Sequence, residues 1–482
     1  MNEMLITIVF VYLLLLFGVG AIKARSVHTQ ADFALAGRSL TPWVLVGTMI
    51  ATWIGTGSIF GNAGKTFDTG IAAILIPLGS ILGVLVLVKI SSKVRTLELT
   101  TVPEIIGNRF GNVARMLATI ALVMAYMVIV SYQYNAGGSV LQVVLVDQSG
   151  AALLSAENAV IISAVFIVCY TLLAGLFSVA FTDVANSIVI IITFLISLPI
   201  LWLKAGGMDG IEQAFISTGR AEHLNFLGVF SATDLINFCL PPFLLILGDA
   251  NMYQRFSAGK TVKGVRKATI IFVFGVLLVE LLIILTAWVS SSMIPEAENG
   301  RHVMIYAARN LLPPLLGATM ITTIVGIIIS TADSYLLVPA TTLVQDVWLK
   351  YIFPKATAIQ ALRLNRLTVL ALGVIAYFVS LGFARSAGFF ERALYAYTIY
   401  GAGVTPALIA ALFWKNATRQ GVIASIITGV LVTFIWKDWA FLHHLLPEGA
   451  FALDEVLPAA GASIFVLITT SLFTRSSIAQ QN

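Results

Sequence analysis

Charge is the first thing this sequence is short of. Asp, Glu, Lys and Arg supply 11% of its 482 residues, against roughly 25% in a soluble globular domain, so the chain cannot cover an ordinary aqueous surface. It holds only two cysteines, Cys169 and Cys239, both inside apolar stretches. That argues against a disulfide framework and leaves them as small packed hydrophobes. Histidine is scarce too: His28, His223, His302, His443 and His444 all fall between apolar stretches, which removes support for a histidine metal site or a buried imidazole relay. The sequence shows no metal-ligand cluster, serine–histidine pair or phosphate loop, so an integral-membrane enzyme is not expected. A basic n-region is missing as well. Glu3 precedes the first apolar run and Lys23 and Arg25 follow it, so 3–22 reads as a retained span with the N-terminus outside.

Apolar residues are present in excess: 59% of the chain, with a mean hydropathy of +0.96. They come in blocks of about twenty, the length that crosses roughly 30 Å of hydrocarbon. The expected fold class is an all-α polytopic membrane protein of about thirteen spans. They fall near 3–22, 42–62, 70–92, 114–146, 157–178, 183–204, 230–250, 266–294, 314–346, 366–386, 390–414, 420–437 and 457–474. The net charge of +5 does not point to nucleic acid, because the basic residues sit in the connections rather than along one face. Threading the spans from an outside N-terminus places all but eight of the 28 Lys and Arg residues on the cytoplasmic side. The exceptions are Lys65, Lys204, Arg220, Arg301, Arg309, Arg385, Arg392 and Lys437. The groups Arg255, Lys260, Lys263, Arg266, Lys267 and Lys350, Lys355, Arg363, Arg366 both fall inside. This bias supports the orientation and the odd number of spans.

Two spans are interrupted. The second runs from Met49 to Gly61 through three glycines and several hydroxyls, and the seventh opens with Pro241-Pro242 and later carries Gly248-Asp249-Ala250-Asn251. Unwound backbone at membrane depth needs a cavity or protein around it. Paired breaks opening two halves of a chain are the mark of an inverted-repeat transporter with its site at the midplane. The layout divides into a leading helix at 1–30, a first repeat of five helices at 40–206 and a second at 228–415. Two peripheral helices at 418–476 and a short cytoplasmic tail at 477–482 complete it.

The strongest local signal is Gly326-Ile-Ile-Ile-Ser-Thr-Ala-Asp-Ser334 in the ninth span. Helical spacing puts Ser330, Thr331 and Ser334 on one face. Neutral hydroxyls and freed carbonyls suit a small hard cation such as Na+, and the broken second span can supply carbonyls near Ala51 and Ile54. The competing reading is that these hydroxyls bond back to carbonyls of their own helix. Intramembrane acids come next, since each is costly unless it faces a cavity or a partner. Asp183 stands at the start of the sixth span, where a helix N-terminus would also favour it. Asp333 lies beside the hydroxyl face and Asp249 at the seventh-span break. Glu280, near the middle of the eighth, suits either an interior donor or a proton site.

The chain resembles the sodium:solute symporter family with its LeuT-type five-plus-five inverted repeat. The resemblance rests on Gly37-Arg38-Ser39-Leu40, Thr101-Val-Pro-Glu104, Arg109-Phe-Gly111, Ala174-Gly-Leu-Phe-Ser-Val-Ala-Phe-Thr-Asp183, Tyr253-Gln-Arg255 and Ser330-Thr-Ala-Asp-Ser334, in matching order over nearly the whole length. It implies one sodium held by the carbonyls of Ala51, Ile54 and Ile327 and the hydroxyls of Ser330 and Thr331. A second ion, held in some members, is implied at Asp183, Ser330 and Ser334, with Asp333 where those members carry serine. The implied substrate pocket lies between the breaks and the fourth and eleventh spans, among Thr52, Trp53, Tyr132, Tyr134, Asn135, Asp249, Asn251, Tyr397 and Thr398. The stretch Ala51-Thr-Trp-Ile-Gly is similar to the choline-transporter branch, where aromatics cage a quaternary ammonium. Trp53 would serve cation–π contact, while Ile129 and Asp249 stand where that branch has tryptophans.

The resulting expectation is sodium-coupled symport of a small organic solute, amine-bearing or zwitterionic, into the cytoplasm by alternating access. Its expected setting is a plasma membrane (a bacterial inner membrane), with the C-terminus inside and no obligatory protein partner. Proton coupling in the same fold is one alternative. A transporter-like solute sensor is another, though only about eight residues follow the last span.

Overall fold

The computed structural model describes residues 2–24, 27, 29–146, 151–294, 302–383, 388–438 and 453–479. His28, His443, His444, Arg25, Arg301 and Arg385 lie outside them. Among the described residues there is no strand, only isolated bridges such as Leu40 with Gly259. The principal helices are α1 (Asn2–Ala24), α2 (Pro42–Trp53), α3 (Ala63–Thr69), α4 (Leu78–Leu97), α5 (Asn112–Val144), α6 (Ala156–Lys204), α7 (Ala232–Gly248) and α8 (Ala250–Ala258). They continue with α9 (Val262–Ser292), α10 (Pro314–Leu343), α11 (Ala358–Phe383), α12 (Phe389–Gly403), α13 (Thr405–Phe413), α14 (Arg419–Asp438) and α15 (Val456–Ala479).

Eleven helical stretches are long and apolar enough to cross a membrane, or twelve when the bent pair Pro42–Trp53 and Gly57–Leu75, angled by 50°, is taken as one span. The difference from about thirteen lies in α4, whose second half carries Lys89, Lys93 and Arg95. Lys93 reaches the Leu412 carbonyl and Arg95 the Gly259 carbonyl at 2.7 Å, so two of these cations end on protein oxygens.

The expected fifth and sixth spans form one 49-residue helix, α6, kinked at Gly175, which alone departs from helical geometry at φ 68°. A Cβ there would come within 2.8 Å of the Phe33 ring. Glycine therefore permits both the left-handed backbone and the close approach. Pro241 and Pro242 sit inside α7 without breaking it, and the interruption comes at Asp249, where ψ turns to 110°. α7 starts on a capping box, Ser231 with Asp234, which satisfies amides that its first turn would otherwise leave open.

Small residues set the close contacts. Gly79 and Gly83, four apart on α4, face α7: added Cβ atoms would meet the Cys239 carbonyl oxygen at 2.0 Å and the Ile246 side chain at 2.1 Å. Gly47 similarly brings α2 against Val184 of α6, and Ser187 donates to the Gly47 carbonyl at 2.6 Å. Such contacts are how helices approach when lipid supplies no hydrophobic drive between them. The hairpin α14–α15 is joined by Ser425 and Ser463, whose hydroxyls lie 2.9 Å apart. Two sequence expectations shift here. Cys169 is exposed on the outer surface rather than packed. His223 is buried in the short turn Ala221–Leu224, against Phe215, and burial lowers its pKa.

Candidate functional site: the break in α2 and the hydroxyl face of α10

Helix α2 ends at Trp53. Ile54 is extended, with φ −74° and ψ 95°, and helical winding resumes at Gly57. Unwinding releases carbonyls that a continuous helix would engage. The face of α10 opposite this break carries the hydroxyls: Ser330 Oγ lies 3.3 Å from the Ala51 carbonyl oxygen and Thr331 Oγ1 lies 3.5 Å from that of Ile54. Thr52 Oγ1 and Ser334 Oγ are 3.3 Å apart. Back-bonding occurs about two turns earlier instead, where Thr322 and Thr323 donate to Ala318 and Thr319 of their own helix. Gly55 lines the same gap, for a Cβ there would sit 3.0 Å from Thr331 Oγ1. Ile327, one turn before Thr331, is fully buried.

Behind the hydroxyls lies a charged cluster. Asp183 is fully buried and stands about two turns beyond the Gly175 kink, so the helix N-terminus does not account for it. Ser330 donates to Asp183 Oδ1 and Thr48 to Asp183 Oδ2, the latter at 2.5 Å. Arg255, read from the sequence as part of a cytoplasmic loop, is instead fully buried on α8. Its Nη2 stands 3.5 Å from Asp183 Oδ2 and donates to Ser334 at 2.8 Å. Its Nε donates to Thr48 at 3.0 Å and its Nη1 to the Asn251 carbonyl at 3.3 Å. Ser334 donates in turn to Asp333 Oδ1 at 3.3 Å, while Asp333 Oδ2 has no partner. Thr48 and Arg255 were not among the sequence candidates. The signal for the arginine was present in Tyr253-Gln-Arg255, directly after the second break.

The expected substrate residues divide into groups. Trp53 and Tyr397 line a cleft of about 40 Å³ with Ser58, Asn62, Glu280 and Phe390. Tyr132 is hydrogen-bonded to Tyr397. Asp249 occupies the second break, fully buried. Its Oδ1 accepts from Tyr126 and, at 3.3 Å each, from the backbone and side-chain nitrogens of Asn251, whereas its Oδ2 has no partner. Tyr335 and Tyr400 flank the Tyr126 ring at centroid distances of 4.8 and 5.6 Å. Two candidates turn elsewhere: Tyr134 points to the Gly373 carbonyl of α11 at 3.4 Å, and Thr398 donates to Leu394 of its own helix at 2.9 Å. Asn135 is half-buried with its Nδ2 unpartnered, and among the described residues no hydrogen bond ties its side chain to either break.

This fold, two interrupted helices crossing a bundle of membrane-length helices, is that of a LeuT-type secondary transporter. A solved Na+-coupled sialic acid symporter superposes with a TM-score of 0.80 at 14% identity, over 97% of this chain and 98% of that one. Mhp1, a nucleobase-cation-symport-1 family transporter, superposes with a TM-score of 0.62 at 13% identity, over 92% and 95%. The family model for the sodium:solute symporter family matches residues 33–429, and the chain belongs to that family. The high-affinity proline transporter PutP of Bacillus subtilis is 26% identical, covering 92% of this chain and 94% of its own. Sodium/proline symporter 2 of Staphylococcus saprophyticus is 24% identical, covering 97% and 92%. The protein is a sodium-coupled solute symporter of a multi-span membrane type, not an enzyme, and sodium is its coupling ion.

Proposed function

We propose that this symporter carries an amine-bearing or zwitterionic solute into the cytoplasm, with sodium held where the α2 break meets α10. The observation that carries the ion site is the pairing of Ala51 and Ile54 carbonyl oxygens with Ser330 and Thr331 hydroxyls at 3.3 and 3.5 Å. A hard cation of calcium-like radius takes oxygen ligands at about 2.4 Å, so adjacent ligands of a six-coordinate ion lie about 3.4 Å apart. The oxygens present have that spacing, and the Ile327 carbonyl is the further ligand. Asp183, Ser334 and Asp333 form the candidate second ion site. There Arg255 already supplies one positive charge, so a second sodium would have to share Asp183 with it.

The solute belongs between the two breaks. Asp249 offers the unpartnered Oδ2 for an ammonium group, and Thr52, Trp53, Tyr132, Asn251 and Tyr397 stand around the same junctions. Tyr134, Asn135 and Thr398 complete the candidate set from the adjoining helices, as supports rather than contacts. The relatives named for proline carry a zwitterion with a secondary ammonium, which fits an acid-containing pocket. The repeats run over 40–206 and 228–415, with the helix within 1–30 leading and those within 418–476 peripheral. The N-terminus lies outside and the C-terminus inside a bacterial plasma membrane. Sodium binding at α2 and α10 steadies the outward-open form, the solute settles beside both breaks, and rocking of the repeats then opens the inner side.

Uptake into proteoliposomes under an imposed sodium gradient tests this. The panel spans proline and other amino acids, amines, sugars and carboxylates. Preferred uptake of an ammonium-bearing compound is expected, and preference for an anionic sugar acid or a monocarboxylate would overturn the solute assignment.

A further inference from the structure

The cleft beside the far half of the broken helix holds a carboxylate that neither the ion site nor the solute site uses. Glu280, on α9, is 3% exposed. Its Oε1 accepts from Ser58 Oγ at 2.6 Å and its Oε2 from Asn62 Nδ2 at 3.0 Å. Both donors are neutral. They position the carboxylate but leave its charge uncompensated, whereas buried charges are ordinarily paired. Each oxygen also keeps a lone-pair direction, since a carboxylate has about four acceptor sites. Among the described residues no cation is ion-paired to Glu280. The Lys65 ammonium lies instead over the Phe238 and Phe390 rings, at 5.1 and 5.8 Å.

Those two rings, with Trp53 and Tyr397, wall the cleft that Glu280 lines. Trp53, Phe238 and Tyr397 are only partly buried, so the space is reachable while the acid is sheltered. Aromatic faces attract cations most strongly where water is excluded, and these walls already hold one. The cleft offers about 40 Å³ of space, against the roughly 10–15 Å³ that one water needs, so it admits a group of a few heavy atoms, larger than a bare sodium ion. The groups bonded to the acid are one hydroxyl and one amide, fewer oxygens than the six or so that a hard cation gathers.

We propose that the Glu280 cleft, which borders the first break and shares Trp53 and Tyr397 with the solute candidates, is a second binding site, specific for a compact organic cation (a substituted ammonium or a guanidinium) and built on an acid other than Asp249. The carboxylate supplies the countercharge, Ser58 and Asn62 hold it in place, and the aromatic walls take the alkyl groups. The site stands whether or not the solute pocket at Asp249 is correct, because it uses a different acid.

The test is a titration of purified protein in nanodiscs with tetramethylammonium chloride, read by intrinsic tryptophan fluorescence at constant ionic strength, with tert-butanol as the uncharged control. A saturable change is expected with tetramethylammonium only, and Trp53→Phe should remove most of it. Glu280→Gln should weaken binding at least tenfold, Glu280→Asp should retain most of it, and Asp249→Asn should leave it unchanged. Sodium-induced thermal stabilisation should be the same in Glu280→Gln as in the parent. Unaltered tetramethylammonium binding in Glu280→Gln, or loss in Asp249→Asn alone, overturns the proposal. Equal loss of probe binding and sodium stabilisation in Glu280→Gln also overturns it, because the glutamate is then only a structural brace.

Discussion

At the scale of single residues, the hydroxyls of α10 differ in what they do although they share a helix. Thr322 spends its hydroxyl on its own helix, while Thr331 faces the Ile54 carbonyl. Removing one oxygen from a cation site forfeits a hydrogen-bond-sized interaction of about 1–2 kcal/mol, which is roughly tenfold in affinity. Thr331→Ala should therefore raise the sodium concentration for half-maximal uptake about tenfold, with Thr331→Ser close to the parent and Thr322→Ala unaffected. Equal behaviour of the two alanine variants would remove Thr331 from the ion site. Arg255 makes a second prediction. Cutting it back to methionine leaves Asp183 buried without its cation, a loss of about 3–5 kcal/mol when one partner of such a pair is removed. Arg255→Met should lower the melting temperature in detergent well below the parent, and the added change Asp183→Asn should recover part of the loss. A double variant no more stable than the single one contradicts the pairing.

At the scale of elements, the close approach of α4 to α7 is set by glycine rather than by apolar bulk. A Cβ at Gly79 would overlap the Cys239 carbonyl oxygen, whereas one at Gly18 on α1 would have nothing within 4 Å. Overpacking against backbone typically costs about 1–3 kcal/mol. Gly79→Ala should thus destabilise by that order in thermal-shift measurements, and Gly18→Ala should be neutral or slightly stabilising through helix propensity. Because α7 leads directly into Asp249 and the second break, Gly79→Ala should also reduce uptake. Full uptake with an unchanged melting temperature would show that the two helices are free to separate.

At the scale of the whole molecule, a ligand that binds only the folded state stabilises it by mass action. Replacing potassium by sodium should raise the melting temperature of the parent and do so less in Ser330→Ala and Thr331→Ala. The driving force follows from the same ion. One charge crossing 100 mV gains about 2.3 kcal/mol, so voltage alone sustains on the order of forty-fold solute accumulation per sodium at about 1.4 kcal/mol per decade. Imposing an inside-negative potassium diffusion potential on proteoliposomes, with equal sodium on both sides, should therefore drive uptake. Solute movement indifferent to that potential would mean that no net charge accompanies it.

Most span positions, both breaks and the hydroxyl face of α10 were legible in the sequence by itself, the stretch at 70–92 being the exception. They depend on local quantities: the length of an apolar run, the punctuation by Gly55, Gly57 and Gly61, and the 3.6-residue repeat that gathers Ser330, Thr331 and Ser334. Only the tertiary structure decided the rest. Arg255 reads as a loop cation until α8 carries it to Asp183, Thr48 and Ser334. Glu280 has two open readings until Ser58 and Asn62, more than two hundred residues away in the chain, close on its oxygens. Tyr134 and Thr398 looked equivalent to Tyr132 and Tyr397, yet they turn to Gly373 and Leu394. The physical reason is common to all of them. Periodicity states which residues share a face of one helix, but the rotation of that face toward a particular neighbour is set by packing between segments far apart in the chain.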